Sequence, residues 1–214
     1  AYDKIIFATG GALAGTSVNA TIETLQDNAK VNIGYAARLL SQGAIELSAR
    51  GHGTVHIQID AETYGAATAV LGTSLVDVFA VNEVNIAGAA QITAYGDLKI
   101  SAGMDPDNVF VRDVYDISSR YDAFAGSAIP ISDLHAQAYL IQENNVTIGV
   151  GAHLKTARQA LLRTAEFSIN KMDAAAKATS WASEAADGIL SLTGGTVALY
   201  PNAEVLQESH GTVT

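Results

Sequence analysis

The 214-residue chain contains no cysteine, which excludes disulfide staples, thiolate zinc sites and cysteine nucleophiles. With 3 prolines and 19 glycines it has the composition of neither a collagen nor a proline-rich linker. Cations are also scarce: 12 Lys and Arg stand against 22 Asp and Glu, for a net charge of -10. Such a balance repels phosphate backbones and anionic lipid, so nucleic acid is not an expected partner. No apolar run reaches the roughly 18 residues that a spanning helix needs, because Gly, Thr, Asn or a charge interrupts each one. What remains is 49% apolar and 16% charged, enough apolar material for a core and too little charge for a disordered chain.

The order of those apolar residues is repetitive. Val31-Asn32-Ile33-Gly34, Val84-Asn85-Ile86-Ala87 and Val146-Thr147-Ile148-Gly149 are each followed by matching positions. Six residues after the first Val stand Ala37, Ala90 and Ala152, and eight residues after it Leu39, Ile92 and Leu154. Gly43 and Gly96 share a further position, at which Arg158 departs. A weaker fourth copy starts at Val197, with Leu199, Ala203, Val205 and Val213 in equivalent places. The copies are spaced by 53, 62 and 51 residues, so the repeat tolerates insertions. Within a copy, Ile45-Glu46-Leu47-Ser48-Ala49 and Leu98-Lys99-Ile100-Ser101-Ala102 alternate with period two, the signature of strands.

Direct repetition of short strands without intervening helices points to an all-β fold, a right-handed parallel β-helix or β-solenoid, in which equivalent residues stack in ladders. The whole of 1–214 then forms one solenoid segment. A repeat of 51–62 residues predicts about three coils of 17–21 residues each, with further rungs at 54–59, 75–79, 109–111 and 136–140. One stretch departs from this pattern. Asp173 to Asp187 is Ala-rich, with Ala174, Ala178, Trp181, Ala182 and Ala185 at helical spacing, Asp173 as N-cap and Gly188 as stop. It predicts a short helix over 173–187 within an inserted helix or loop at 170–188, although Ala174, Ala176 and Ala178 also suit a strand. Neither terminus carries a leader or a terminator, and both read as cuts through a longer pattern.

Val84-Asn85-Ile86, the run Ala94-Tyr95-Gly96-Asp97-Leu98-Lys99-Ile100-Ser101-Ala102-Gly103, Ala128-Ile129-Pro130 and Val146 to Arg158 give the sequence a family likeness. It resembles the giant bacterial surface and adhesin proteins with filamentous-haemagglutinin-like parallel β-helix repeats. The resemblance spans most of 16–169. It implies extracellular or cell-surface exposure and a scaffold, adhesive or filament role, and it implies no catalytic residues.

Candidate chemistry is sparse. Met104-Asp105-Pro106-Asp107-Asn108, followed by Asp113 and Asp116, gathers oxygens suited to a hard cation, which makes Asp105 and Asp107 candidate calcium ligands. The competing reading is turn chemistry with solvated charges. The five His, at 52, 56, 135, 153 and 210, show no metal-binding spacing, and no Gly-x-Ser-x-Gly elbow occurs. Gly10 to Gly15 lacks the Lys-Ser/Thr of a phosphate loop and reads as a turn. The sequons at Asn19 and Asn145 are assigned no role. Tyr64, Tyr95, Tyr115, Tyr121 and Tyr139 offer sugar-stacking surface where exposed, but they are scattered and read as packing.

A carbohydrate-active β-helix enzyme requires either paired carboxylates at working separation or a basic residue beside calcium-ligating acids on one ladder. Asp60, Glu62, Asp77 and Glu83 fall at turns or outward positions, and the sequence gives no acidic pair aligned across copies with a neighbouring cation. The expected function is therefore non-enzymatic: a rigid spacer in an extracellular bacterial adhesin or surface fibre, with lateral contacts to like solenoids or a cell-surface glycan and no cofactor. A discrete subunit stacking end to end into an extracellular filament or sheath is the alternative, and the β-helix enzyme a lesser one.

Overall fold

The computed structural model describes residues 2–108, 114–127, 129–165, 171–180 and 198–214. All elements assigned among them are strands, and the chain runs through these in repeated circuits. The first circuit contains β1 (Tyr2–Gly10), β2 (Leu13–Ile33), β3 (Arg38–Ser41) and β4 (Ile45–Ala49). The second contains β5 (His52–Tyr64), β6 (Ala67–Ile86), β7 (Gln91–Ala94) and β8 (Leu98–Ala102). The third contains β9 (Val114–Gly126), β10 (Ile129–Ile148), β11 (His153–Thr156) and β12 (Ala160–Thr164). Of a fourth, β13 (Lys171–Ser180) and β14 (Ala198–Val213) are described.

Each of the first three circuits gives one strand to each of four sheets, and the fourth adds to two of them: β1, β5, β9 and β13 form sheet A, and β2, β6, β10 and β14 form sheet B. Sheets C (β3, β7, β11) and D (β4, β8, β12) are narrower. All the strand pairs are parallel.

Alternation sets which side chains face inward. Along β6, Val70, Ser74, Val76, Val78, Ala80, Asn82, Val84 and Ile86 are buried while the odd-numbered residues from Leu71 to Asn85 are partly or largely exposed. Burying each such branched side chain is worth about 1.5–3 kcal/mol. The buried residues form two cores. One lies between sheet A and the first part of sheet B, around Ile57, Ile59, Val76, Ile117 and Leu140. The other is enclosed by the end of sheet B with sheets C and D, around Ile86, Ile92, Leu98, Ile100 and Val146.

Between them runs a polar seam. Asn82 Nδ2 donates to Asn144 Oδ1 at 2.8 Å, and Asn144 Nδ2 donates to the Ala165 carbonyl at 2.9 Å, all buried. Satisfied in this way, the amides avoid the penalty of unpaired buried polar groups.

Each B-to-C corner is a tight turn closed by the same hydrogen bond, from the N–H of Ala37, Ala90 and Ala152 to the carbonyl of Gly34, Ala87 and Gly149. Its third residue lies in the left-handed region at each level: Ala36 at φ 56°, Ala89 at 58° and Gly151 at 77°. Two alanines therefore hold a conformation that costs an L-residue about 1–2 kcal/mol.

The structure corrects four expectations. Val31, Val84 and Val146 do stack, but as neighbours in one ladder of sheet B. One repeat is therefore one circuit, not about three coils. Residues 54–59, 75–79 and 136–140, expected as separate rungs, are parts of the long strands β5, β6 and β10, and 109–111 lies outside the described residues. Period-two alternation cannot distinguish one long strand from several short ones.

The helix expected over 173–187 is also replaced, as far as it is described. Residues 173–180 belong to β13, with Ala174 and Ala176 against the first core, and 181–187 lie outside the described residues. Lastly, β14 sets Val213 opposite Val146, the place expected for Val197, which lies outside the described residues. The two positions differ by an even number of residues, a slip that leaves the inward and outward faces unchanged and so is invisible to alternation.

Candidate functional site

The outer face of sheet A carries a dense set of charged, polar and aromatic side chains. Strand alternation sends the even-numbered residues of β1, β5 and β9 outward, while Ile57, Ile59, Ile117 and Tyr121 point into the core. In-register stacking then builds rows across the circuits. Lys4, Gln58 and Arg120 form one row, Ile6, Asp60 and Asp122 the next, and Ala8, Glu62 and Phe124 a third. Lys177 takes the register position beside Asp122 on β13.

The groups on this face are fixed by one another. Lys4 Nζ lies 2.9 Å from Asp60 Oδ2, and Gln58 Nε2 donates to the same carboxylate at 3.0 Å. Partial burial alone pushes the Asp60 carboxyl up, but the hydrogen bonds from Lys4 and Gln58 and the ammonium charge outweigh it, leaving the pKa below the ordinary value. The Tyr64 hydroxyl donates to Glu62 Oε2 at 2.9 Å, and this bond to an acceptor carboxylate raises the phenol's pKa. At the end of the face His56 Nε2 approaches Asp116 Oδ1 at 3.4 Å. Phe124 packs beside Tyr64, with ring centroids 5.8 Å apart and a tilt of 52°. A groove of about 520 Å³ runs between these rows, lined by Ile6, Asp60, Glu62, Asp122 and Phe124 together with Ala61 and Ala123.

The register overturns one part of the sequence reading. Asp60 and Asp122 are direct partners on adjacent strands, so an acidic pair does align across circuits, with Lys4 bonded to one member. The available signal was their separation, the same 62 residues that part Val84 from Val146. Asp77 and Glu83 face outward on sheet B, where Glu83 Oε2 meets Lys30 Nζ at 3.1 Å. Hydrogen bonding from Asn85, then from Lys30, holds Glu83 below the usual carboxylate range.

Asp105 and Asp107 lie at the bend after β8. Asp105 Oδ1 accepts the backbone N–H groups of Asp107 and Asn108 at 2.9 and 3.1 Å, which lowers its pKa, and Oδ2 contacts Arg50 at 3.4 Å. Asp107 pairs with Lys99. These contacts are those of a turn carboxylate. Asp116 is not gathered with them but faces His56 on sheet A, and Asp113 lies outside the described residues. Among the described residues no group of three His, Asp or Glu side chains converges as a metal site.

Among the tyrosines, Tyr115 and Tyr121 are core residues, Tyr64 and Tyr95 are exposed, and Tyr139 bonds to Glu204 at 2.9 Å on sheet B. No described helix is long and apolar enough to cross a membrane. Comparison of the chain with protein-family models, with curated proteins and with solved structures finds no match.

Proposed function

We propose that the stacked circuits are a segment of a right-handed parallel β-helix, acting as a non-enzymatic structural part of an extracellular bacterial adhesin or surface fibre. The carrying observation is the register. Through the second and third circuits the four ladders run without a shift, and a single irregularity, between Ile22 and Leu25, is confined to the first. Ion pairs follow the same axis: Lys4, Lys30 and Arg50 of the first circuit meet Asp60, Glu83 and Asp105 of the second.

Dimensions refine the spacer reading. Each circuit advances only about 4.8 Å along the axis, whereas the 20-residue strand β6 spans about 65 Å across it. The segment is accordingly a broad slab, and lateral contact through its wide faces suits it better than reach.

End-to-end stacking has its own support. The first circuit leaves the inward-facing Ile5, Val31, Leu39 and Leu47 only partly buried although their register partners Ile59, Val84, Ile92 and Ile100 are fully buried, and the outer edges of β1 to β4 take no strand partner among the described residues. A further circuit, whether of the same or another chain, would cover them.

Cryo-electron microscopy of the native material, with intact-mass measurement, tests the proposal. Stacks with a repeat of about 4.8 Å along the long axis and a right-handed path are expected. Compact single particles, a left-handed path or an intracellular source would overturn it.

A further inference from the structure

We infer that the groove on the outer face of sheet A binds an extended, uncharged oligosaccharide lying along the stacking axis. The first observation is an arrangement that folding does not require. Asp60 and Asp122 point outward as direct register partners on adjacent strands, which sets two carboxylates side by side on this face. Lys4 and Gln58 hold one of the two carboxylates in a fixed orientation, and the core behind them is apolar and indifferent to what projects outward.

The second observation is apolar surface beside those acids. Ile6 is 72% exposed, and Phe124, braced by Tyr64, lines the same groove. A pyranose ring has an apolar C–H face and a perimeter of hydroxyl donors. Its face suits the Phe124 ring, and its hydroxyls suit carboxylate acceptors whose geometry is already set by Lys4, Gln58 and Tyr64.

Spacing adds direction. Neighbouring strands lie about 4.8 Å apart, so a ligand parallel to the axis meets one outward carboxylate per circuit, Asp60 and then Asp122. Three carboxylates in the lining, on a chain of net charge -10, disfavour uronate or sulfated chains. This inference does not depend on the structural role proposed above, since a spacer and an enzyme can equally carry such a groove.

The test is titration calorimetry of the full chain with cellohexaose, xylohexaose and mannohexaose, and with a hexagalacturonate as the anionic counterpart. At least one neutral hexasaccharide is expected to bind. Phe124→Ala should weaken that binding about tenfold. Asp122→Asn and the isosteric Glu62→Gln should also weaken it, all three variants keeping the parent circular dichroism and melting temperature. Because these side chains face outward, a loss of binding with unchanged melting reads the groove and not the fold. The inference is overturned by no binding of any neutral hexasaccharide at millimolar concentration. Preference for the hexagalacturonate, or binding that all three folded variants retain, would overturn it equally.

Discussion

The Tyr115 hydroxyl donates to Asp27 Oδ2 at 2.8 Å, joining the third circuit to the first across the second. Two glycines of the second circuit make the passage. A Cβ on Gly51 would lie 2.3 Å from that hydroxyl, and one on Gly53 3.1 Å from the ring. Tyr115→Phe keeps the ring and removes the bond, so urea denaturation should show a loss of about 1–2 kcal/mol. A phenylalanine variant as stable as the parent would show that the tie contributes nothing.

Gly72 has a different constraint. The rows on either side place Val18 and Leu134 at its position, while Tyr121, from the facing sheet, fills the space that the missing side chain leaves. A Cβ there would stand 2.0 Å from the Val18 carbonyl and 2.7 Å from the Tyr121 ring. Gly72→Ala is expected to cost about 2–3 kcal/mol by thermal or urea unfolding. Gly34→Ala, whose Cβ would meet nothing within 4 Å, should stay within about 0.5 kcal/mol of the parent.

The corner alanines give a prediction of opposite sign. Ala89 sits at φ 58°, a conformation that glycine adopts without penalty. Relief of strain exceeds the extra chain entropy that glycine brings to the unfolded state, so Ala89→Gly should raise stability by about 0.5–1 kcal/mol. A melting temperature equal to or below the parent's would count against strain at this corner.

Acid should loosen the circuits in a defined window. Asp60, Glu83 and Asp105 all have folded-state pKa values below their ordinary ones, so the unfolded chain binds protons first as pH falls. Their stabilisation is fully present above the unfolded carboxylate pKa of about 4 and disappears as pH drops through the lower folded values. Melting temperature should be flat from about pH 7 to 5 and decline below about 4. In the triple variant Asp60→Asn, Glu83→Gln, Asp105→Asn that decline should be shallower, and an unchanged pH profile would remove these carboxylates as its cause.

How much of this was legible in the sequence depended on which interactions leave a periodic trace. Inward residues such as Val84, Ile86, Ile92 and Ile100 recur because each stacks on its equivalent, and so the ladders and the all-β class could be read directly. Circuit size could not, because it is set by where strands turn. The long runs β2, β6 and β10 contain polar outward residues that look like breaks. The Ala-rich stretch was ambiguous because a small side chain suits a helix or a narrow core alike, and packing of Ala174 and Ala176 against the first core decides for the strand. The groove on sheet A was missed because its members are distant in sequence and adjacent only through register. Asp60 and Asp122 carry no local motif, and Phe124 meets Tyr64 only when β5 and β9 lie side by side.

The interval between register partners also governs how the molecule assembles in time. Asn32 and Asn85, bonded across the first two circuits, are 53 residues apart, and Asn82 and Asn144 are separated by 62. Apart from the short corner turns, contacts among the described residues are mostly long-range, so the first pairing must close a long loop against its full entropy. Once one circuit is in place its strand edges template the next, which leaves nucleation as the slow event and makes each later turn of chain an addition to an existing surface.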